Sequence, residues 1–378
     1  MRVMVVGAGL GGLTLAQGLR RAGIDVAVYE RDGADGRPQG VSLHFDDRGA
    51  AALRACLPPA HLAIAEATMG APRGQALALS EVDGELVVVG NRVLDGTAGR
   101  VPPGRQVSRR LLRAVLLAGL EDVVRFGAKF THFEQRPDGT VQAWFADGST
   151  DTADVLVGAD GIGSGVRWQY LPQVQVYDTG KRMLMGASPL RAVADTGVPE
   201  LIGDNPASAQ IGTTMMAMGA LRFQESPRAA RDQWLPDLRS SAIDDAEDFL
   251  MWAVPVTQER LGAAATPAAI WRRTREVAAD LPAVLRAVVD HAWPDLTVAL
   301  RIGMIPPVPA WPSSQVTVIG DAIHAAPGFG GNLAMQDAHL LRDALVEVAQ
   351  GRSEVRTAIS EFEDAVRRNN APALEPHP

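Results

Sequence analysis

The fold is decided by residues 2–30, which read RVMVVGAGLGGLTLAQGLRRAGIDVAVYE. The apolar run Arg2–Val6 meets a glycine-rich turn, a pattern typical of a strand buried on both faces of a parallel sheet. Apolar residues then recur at helical spacing as far as Gly23, which occupies the place of a left-handed C-cap residue. Ile24–Glu30 alternates like a second strand. The segment therefore predicts one β-α-β unit.

The glycines of this turn have the spacing of a dinucleotide-binding loop. Gly7 permits a tight turn, Gly9 lets the backbone approach a pyrophosphate, and Gly12 lets the helix pack close to the strand. Glu30 ends the second strand, where an acid accepts hydrogen bonds from ribose hydroxyls and repels a 2′-phosphate. We also expect the neighbouring Arg31 to bind the cofactor. The unit favours FAD or NAD over NADP and leaves FAD and NAD unseparated.

Two later segments repeat the pattern of a short buried strand that ends in an acid on a glycine turn. Asp154–Val157 opens into Gly158-Ala159-Asp160-Gly161, and Val316–Ile319 opens into Gly320-Asp321-Ala322-Ile323-His324. Ligands of α/β proteins bind at the carboxyl edge of the sheet, where such turns lie. The first of the two segments, taken alone, also suits a surface β-turn.

A helix follows the third motif. Its apolar stripe begins at Leu333, so Gly330, Gly331 and Asn332 lie at the helix N-terminus. The helix dipole and free backbone N–H groups there stabilise an anion, such as the N1–C2=O edge of a reduced flavin. We expect Asp321 to hold ribitol or ribose hydroxyls.

The three motifs resemble, in sequence and order, the fingerprints of the group A flavin monooxygenases, the family of para-hydroxybenzoate hydroxylase-like and tetracycline-modifying enzymes. The resemblance extends from residue 2 to about residue 345. Arg109, in the stretch Ser108–Leu116, looks like the family's helix-borne arginine near the flavin. The resemblance selects FAD as the cofactor, and it implies that Asp160 and Asp321 bind it.

The resemblance also implies a reaction. NADH or NADPH would transiently reduce FAD, O₂ would add to give the flavin C4a-hydroperoxide, and one oxygen atom would pass to an aromatic or polycyclic, polyketide-like small molecule. The chain departs from the family pattern between His324 and Asn332, where it has seven residues, Ala325–Gly331, and the family has more. That loop lies beside the flavin ring in the family, so we expect the shorter loop to cover the flavin differently.

We therefore predict an α/β fold with a Rossmann-like FAD-binding domain and a parallel sheet. This domain is interleaved with a mostly antiparallel-sheet substrate domain and followed by a C-terminal helix. The predicted boundaries are residues 1–70, 100–175 and 300–350 for the FAD-binding domain, 71–99 and 176–299 for the substrate domain, and 351–378 for the helix and tail.

Local patterns in the second half support this division. Alternation predicts antiparallel strands over Arg182–Leu190, within Gln210–Phe223 and over Phe249–Pro255. Apolar periodicity predicts two helices over Trp271–Ala279 and Ala283–His291. A further amphipathic helix over Ser353–Asn370 would pack on the FAD-binding domain or on a partner, and Ala371–Pro378 would be a frayed tail.

Two histidines are candidate catalytic residues. His44, in the apolar stretch Ser42–Phe45, would be a general base for a phenolic proton, although a lone histidine on an apolar strand is also a common structural group. The motif places His324 next to the flavin, where packing or a backbone hydrogen bond is its alternative role. Six methionines between residues 183 and 251 suit either core filling or an adaptable apolar substrate pocket.

Composition narrows the class of protein. The 378 residues are 47% hydrophobic and 21% charged, which indicates a globular chain, and the net charge of −8 argues against nucleic acid as a partner. Cys56 is the single cysteine, so neither a disulfide nor a thiolate metal site forms within the chain, and we expect no metal. The N-terminal apolar run is too short for a signal peptide or a membrane span. We expect a cytoplasmic monomer or weak homodimer.

Two other classes of protein share parts of this pattern. A flavin-dependent oxidase, reductase or halogenase uses the same first β-α-β unit, although the Trp-x-Trp-x-Ile-Pro signature of halogenases does not occur in the sequence. A non-catalytic NAD-binding protein would also carry this unit. Flavin absorbance of the purified protein separates the flavoenzymes from the NAD-binding protein.

Overall fold

The computed structural model describes residues 1–37, 39–95, 102–325 and 330–374, with side chains through residue 369. Four of the residues between His324 and Asn332, namely 326–329, and the end of the predicted tail, 375–378, lie outside these ranges. The predicted change in flavin cover by this loop therefore falls outside the described residues.

A five-stranded parallel sheet carries the three motifs. In spatial order its strands are β17 (Val316–Val318), β11 (Val155–Gly158), β1 (Arg2–Val6), β2 (Asp25–Glu30) and β7 (Val124–Phe126). Alternate residues of β1 enter different apolar cores: Val3 and Val5 pack on one face of the sheet, and Met4 and Val6 on the other. Burial on both faces explains why the strand reads as an uninterrupted apolar run.

Helices cover one face of this sheet and a small sheet covers the other. The helices are α1 (Leu10–Arg21), α2 (Asp47–Cys56), α3 (Pro59–Ala67), α4 (Arg109–Leu117), α13 (Gly330–Ala349) and α14 (Val355–Leu374). The small antiparallel sheet consists of β8 (Phe130–Gln135), β9 (Val141–Phe145) and β10 (Thr150–Ala153), and the short helix α5 (Gly165–Tyr170) packs against β8. Two further strands, β3 (Ser42–Asp46) and β6 (Gly104–Ser108), form an antiparallel pair between the two halves of the molecule.

The second half is a seven-stranded sheet. Its strands in spatial order are β16 (Val298–Met304), β12 (Tyr177–Pro189), β15 (Phe249–Thr257), β14 (Thr214–Leu221), β13 (Ala207–Ile211), β4 (Gln75–Val82) and β5 (Glu85–Val93). All neighbours pair antiparallel except β13 and β4, which are parallel. The predicted mixed α/β class with a mostly antiparallel second sheet is thus confirmed, whereas the exact domain boundaries stay a prediction.

The second half also carries helices, one set of which packs on the outer face of its sheet. The helices are α6 (Leu190–Val193), α7 (Val198–Ile202), α8 (Pro227–Trp234), α9 (Ser241–Asp244), α10 (Gln258–Leu261), α11 (Pro267–Val277) and α12 (Ala283–Asp290). Leu184 and Trp252 from the sheet share one apolar core with Ile270 of α11 and Leu285 of α12. The two helices predicted around residues 271–279 and 283–291 are therefore confirmed within a few residues.

The C-terminal helix packs on the FAD-binding half. Glu363 of α14 is buried and accepts hydrogen bonds from Ser313 Oγ at 2.6 Å and from Thr317 Oγ1 of β17 at 2.9 Å. Burial raises the pKa of this carboxyl, and the two hydroxyl groups oppose that shift. The helix continues to Leu374, so the prediction of a frayed tail from Ala371 was wrong for four residues.

Candidate functional site

The three predicted motifs meet at one edge of the parallel sheet. Val6, Gly158 and Val318 lie side by side in register at the carboxyl ends of β1, β11 and β17, and a turn follows each of them. A cleft opens at this edge. Nine of the predicted cofactor-binding residues line it: Gly7, Gly9, Glu30, Arg31, Arg109, Asp160, Asp321, Gly330 and Gly331.

Two glycines of the first turn are required by close packing. Gly7 has a φ of +112°, and an added Cβ would collide with the backbone of Ala159 in the second turn. A Cβ on Gly12 would collide with the carbonyl oxygen of Gly7. Gly12 does not line the cleft. Its lack of a side chain lets α1 pack close to the turn after β1, as predicted.

Gly9 is different, because a Cβ there would meet no atom within 4 Å. It is the N-cap residue of α1, whose first turn contains no acidic residue and no side-chain cap. The first-turn N–H groups of α1 therefore border open space in the cleft, which is the arrangement that binds pyrophosphate. This geometry fits the phosphates of a dinucleotide.

The carboxylates of the cleft are held by the backbone. Glu30 Oε2 accepts a hydrogen bond from Ala8 N at 2.7 Å, and Oε1 accepts one from Asp32 N at 2.9 Å. Asp160 Oδ2 accepts a hydrogen bond from Gly165 N at 2.7 Å, and its Oδ1 is buried with no partner among the described residues. Burial raises the pKa of Asp160. An unpaired buried oxygen is costly, so a ligand hydroxyl at Oδ1 would be favourable.

Asp321 and Arg109 face each other across the cleft. Burial raises the pKa of Asp321, while the positive charges of His324 and Arg109 oppose that shift. Burial lowers the pKa of Arg109, and the negative charge of Asp321 opposes that shift. Arg109 Nη2 donates a hydrogen bond to Gln39 Oε1 at 3.2 Å. A Cβ on Gly330 would collide with the carboxylate of Asp321, so the first turn of α13 lies directly against it.

His324 lies behind the cleft and does not line it. Its Nε2 hydrogen-bonds Asp337 Oδ2 of α13, and the same oxygen accepts a hydrogen bond from Gly320 N at 2.9 Å. Burial alone would lower the pKa of His324, but the Asp337 carboxylate raises it, and the net direction is upward. The pair therefore joins the third turn to α13, which corresponds to the packing role named as the alternative for His324.

Asn332 and His44 are not brought to the cleft either. Asn332 is buried; its Oδ1 accepts a hydrogen bond from Asp46 N at 3.1 Å, and its Nδ2 donates one to His44 O at 2.8 Å. The His44 ring has Nε2 at 2.8 Å from Pro102 O and Nδ1 at 3.4 Å from Arg73 Nη2. Burial, followed by Arg73, lowers the pKa of His44. His44 therefore does not line the cofactor cleft, and its role as a general base for a phenolic proton stays a prediction.

Sequence reasoning missed two arginines that hold the cleft together. Arg167 of α5 is buried and donates from Nη1 to Ala322 O at 2.8 Å and from Nη2 to Ile162 O at 2.9 Å, so it ties the second turn to the third. Arg113 donates from Nε to Ala8 O at 3.2 Å. The sequence could have indicated Arg113, because it follows Arg109 by one helical turn and both therefore lie on one face of α4.

Neither a candidate membrane span nor a candidate metal centre occurs in the described ranges. No helix there is long and apolar enough to cross a membrane. No group of three or more His, Cys, Asp and Glu side chains among the described residues is placed to hold a metal ion.

Comparison with known proteins gives the family. The model of the FAD binding domain family matches residues 1–215 and 308–364. The chain is 30% identical over 405 aligned positions to the dual O-methyltransferase/FAD-dependent monooxygenase CTB3 of Cercospora beticola, which covers 97% of the chain and 44% of that protein. The chain thus spans less than half the length of the first curated relatives it matches. It is 26% identical to an FAD-dependent urate hydroxylase of Mycolicibacterium vanbaalenii, over 97% of the chain and 84% of that protein.

Solved structures agree. A protein of Photorhabdus luminescens, assigned as an FAD-containing monooxygenase, superposes with a TM-score of 0.80 at 27% identity, over 99% of this chain and 96% of the other. Klebsiella pneumoniae HpxO, solved with FAD and uric acid, shares the fold with a TM-score of 0.74 at 23% identity, over 99% of this chain and 86% of the other. The chain therefore belongs to the FAD-binding domain family of the FAD-dependent aromatic monooxygenases, as the three motifs predicted.

Proposed function

We propose that the protein is an FAD-dependent monooxygenase that uses NADH or NADPH and O₂ to hydroxylate an aromatic or polycyclic small molecule. The observation that carries this proposal is the convergence of the turns at residues 7–12, 158–161 and 320–322 on one cleft, which the start of α13 completes. The names of the relatives support the reaction type.

Each wall of the cleft suits one part of FAD. The first turn of α1 would hold the pyrophosphate, and Glu30 would accept from the adenosine ribose. Asp160 and Asp321 would accept from ribitol or ribose hydroxyls, with Arg109 supplying positive charge beside them. When bound, FAD would supply the redox and oxygen chemistry. The first-turn N–H groups of α13 would favour negative charge on the ring edge that faces them.

The inner face of the seven-stranded sheet is the proposed substrate wall. Val41, Ala187, Leu221 and Phe249 form an apolar cluster there, joined by Met185, Phe223, Met251, Trp293 and Leu296. Val41 belongs to the same short segment as Gln39, which lines the cofactor cleft. This apolar wall next to the cleft supports an aromatic substrate. It also supports the assignment of residues 176–299 to a substrate domain, whereas the assignment of residues 71–99 stays a prediction.

Two measurements test the proposal. Mass spectrometry of pigment released by heat denaturation should identify FAD; a protein without flavin absorbance that also fails to take up FAD would favour the non-catalytic NAD-binding alternative. Substrate-dependent NAD(P)H consumption with incorporation of ¹⁸O from ¹⁸O₂ into product separates a hydroxylase from the other flavoenzymes. Hydrogen peroxide as the sole oxygen product would indicate an oxidase.

A double variant tests the cleft itself. Glu30→Gln with Asp321→Asn keeps shape and replaces two charged acceptors by neutral amides, so FAD should dissociate at least ~10-fold more readily, since hydrogen bonds to charged groups contribute about 1.5–3 kcal/mol each. The matched control is Glu81→Gln with Glu85→Gln, two exposed carboxyls on the β4–β5 hairpin. Equal FAD retention by both double variants would contradict the assigned cleft.

A further inference from the structure

A second cavity lies at the end of the β3–β6 pair that is opposite to the cofactor cleft. It is formed by α2, α3, the end of β3, the start of β6 and the segment before α8, and it shares no described lining residue with the cofactor cleft. Its wall combines charged side chains with apolar ones, among them Phe45, Leu53, Leu62, Met69 and Trp234. We call it the arginine cavity, because Arg73 lines it from a buried position.

Arg73 has only neutral partners among the described residues. Its side chain is 3% exposed, and Nη2 donates to Gln106 Oε1 and approaches His44 Nδ1 at 3.4 Å. The amide of Gln106 is itself directed by a hydrogen bond to Ser42 Oγ. Nε of Arg73 is buried without a partner, and no described carboxylate makes an ion pair with this guanidinium. Among the described residues, this buried positive charge therefore has no ion-pair partner, and Asp204 acts on it only without direct contact.

The neighbouring residues are arranged to tolerate that charge without neutralising it. Pro102 O fixes a proton on His44 Nε2, so Nδ1 presents its lone pair to Arg73. Gly219 on β14 leaves space, because a Cβ there would lie 3.3 Å from Arg73 Nη1 and 3.4 Å from Gln106 Oε1. Burial lowers the pKa of Arg73 to about 10, with Asp204 opposing, so the guanidinium stays protonated at neutral pH.

Three of the four acids that line the arginine cavity lie at its rim, and the fourth, Asp46, is buried. Asp47, Glu66 and Glu225 are exposed, where water and salt screen them, and Asp46 is paired with Arg48. A buried charge is screened far less, and leaving it unpaired costs several kcal/mol. An anionic group placed against Arg73 would therefore be stabilised.

We propose that the arginine cavity binds an aromatic carboxylate, whose carboxylate pairs with Arg73 and whose ring packs on the apolar wall. A guanidinium matches a carboxylate in a bidentate geometry, and a charge-assisted pair of this kind is strongest away from water. Phe45 and Trp234 supply the aromatic surface for the ring. The proposal concerns binding and does not depend on the oxygenation reaction proposed above.

Isothermal titration calorimetry on the FAD-loaded full chain tests it with 2-naphthoate and 2-naphthamide, two probes of nearly the same shape that differ in charge. The native protein should bind 2-naphthoate at least ~10-fold more tightly, because one charge-assisted pair contributes about 1.5–3 kcal/mol. Arg73→Gln should abolish this preference. Arg54→Gln, which removes an exposed guanidinium at the rim of the same cavity, should keep it.

Three results would overturn the proposal: no measurable binding of 2-naphthoate, equal binding of the two probes by the native protein, or retention of the preference in Arg73→Gln. The proposal would also be overturned if Arg73→Gln and Arg54→Gln lost the preference for 2-naphthoate equally, because any nearby positive charge would then explain that preference. Thermal unfolding checks that the variants fold. If Arg73→Gln does not fold, Arg73→Lys replaces it, and it should reduce the preference because a lysine cannot form the bidentate pair.

Discussion

The cofactor cleft and the arginine cavity lie at opposite ends of the β3–β6 pair and are built in different ways. The cleft is made largely of main chain: turns and helix N-termini whose spacing tolerates no Cβ at Gly7 or Gly12. The arginine cavity is made of side chains, with Arg73 held by Gln106 and His44 from separate strands. A main-chain site depends on backbone geometry, whereas a side-chain site depends on the charge and shape of a few groups.

This difference predicts different responses to substitution. At Gly7 and Gly12, adding one methyl group forces backbone atoms apart, so stability and cofactor binding should fail together. In the arginine cavity, a side chain can be exchanged while the backbone stays in place, so ligand preference changes and the fold persists. The following experiments test that contrast.

Gly12→Ala should have the largest effect. Its Cβ would collide with Gly7 O, and overpacking of this kind costs about 1–3 kcal/mol or more, so the variant should purify with little FAD and unfold at lower temperature. The flavin-to-protein absorbance ratio and the melting temperature measure both effects. Gly33→Ala is the matched control, because a Cβ there would meet nothing within 4 Å. Normal FAD content in Gly12→Ala would show that this contact is not required.

Arg167→Met should have the next largest effect, because the Arg167 side chain holds two backbone carbonyl groups in place. It leaves Ala322 O and Ile162 O without their donor, at about 1–3 kcal/mol for each buried acceptor. The free energy of unfolding in urea and the FAD dissociation constant measure the result. Arg301→Met, at an exposed arginine, should change neither quantity. An unchanged FAD affinity in Arg167→Met would show that FAD binding does not need this link between the second and third turns.

The His324–Asp337 pair should give a pH-dependent effect of intermediate size. The folded protein raises the pKa of His324 above 6.5, so the pair stabilises fully below that value and less as pH rises through the raised pKa. The contribution is about 1.4 kcal/mol for each unit of pKa shift. Melting temperatures of the native protein and His324→Gln should therefore differ most near pH 6 and converge towards alkaline pH. A constant difference across that range would contradict the raised pKa.

His44→Gln should have the smallest effect. The ring lies outside the cofactor cleft, so FAD content should not change, and loss of the hydrogen bond to Pro102 O should cost about 1 kcal/mol. Turnover should stay within roughly threefold, whereas a general base contributes about 10²–10⁴-fold. A loss of turnover in that larger range, with normal FAD content, would establish His44 as the base and remove the contrast between the two regions.

Most of the cofactor cleft could be predicted because its chemistry is encoded locally. A strand, a glycine turn and an acid are contiguous at residues 2–30, 154–161 and 316–324, and parallel strands bring their carboxyl ends to one edge. Side-chain partners were harder to predict. Asn332 and His324 follow the third strand closely, yet their hydrogen bonds go to β3 and α13 and not to the cleft.

The sequence by itself determined the β-α-β unit, the order of the three motifs and the class of fold, because backbone requirements leave fixed spacings of glycine and acid. The tertiary structure alone decided which buried charges are paired. Arg73, Gln106 and Trp234 are far apart along the chain, and no local pattern marks an arginine that will be buried without an acid. Burial and partnership are properties of the packed molecule, since the free energy of a charge depends on everything that surrounds it.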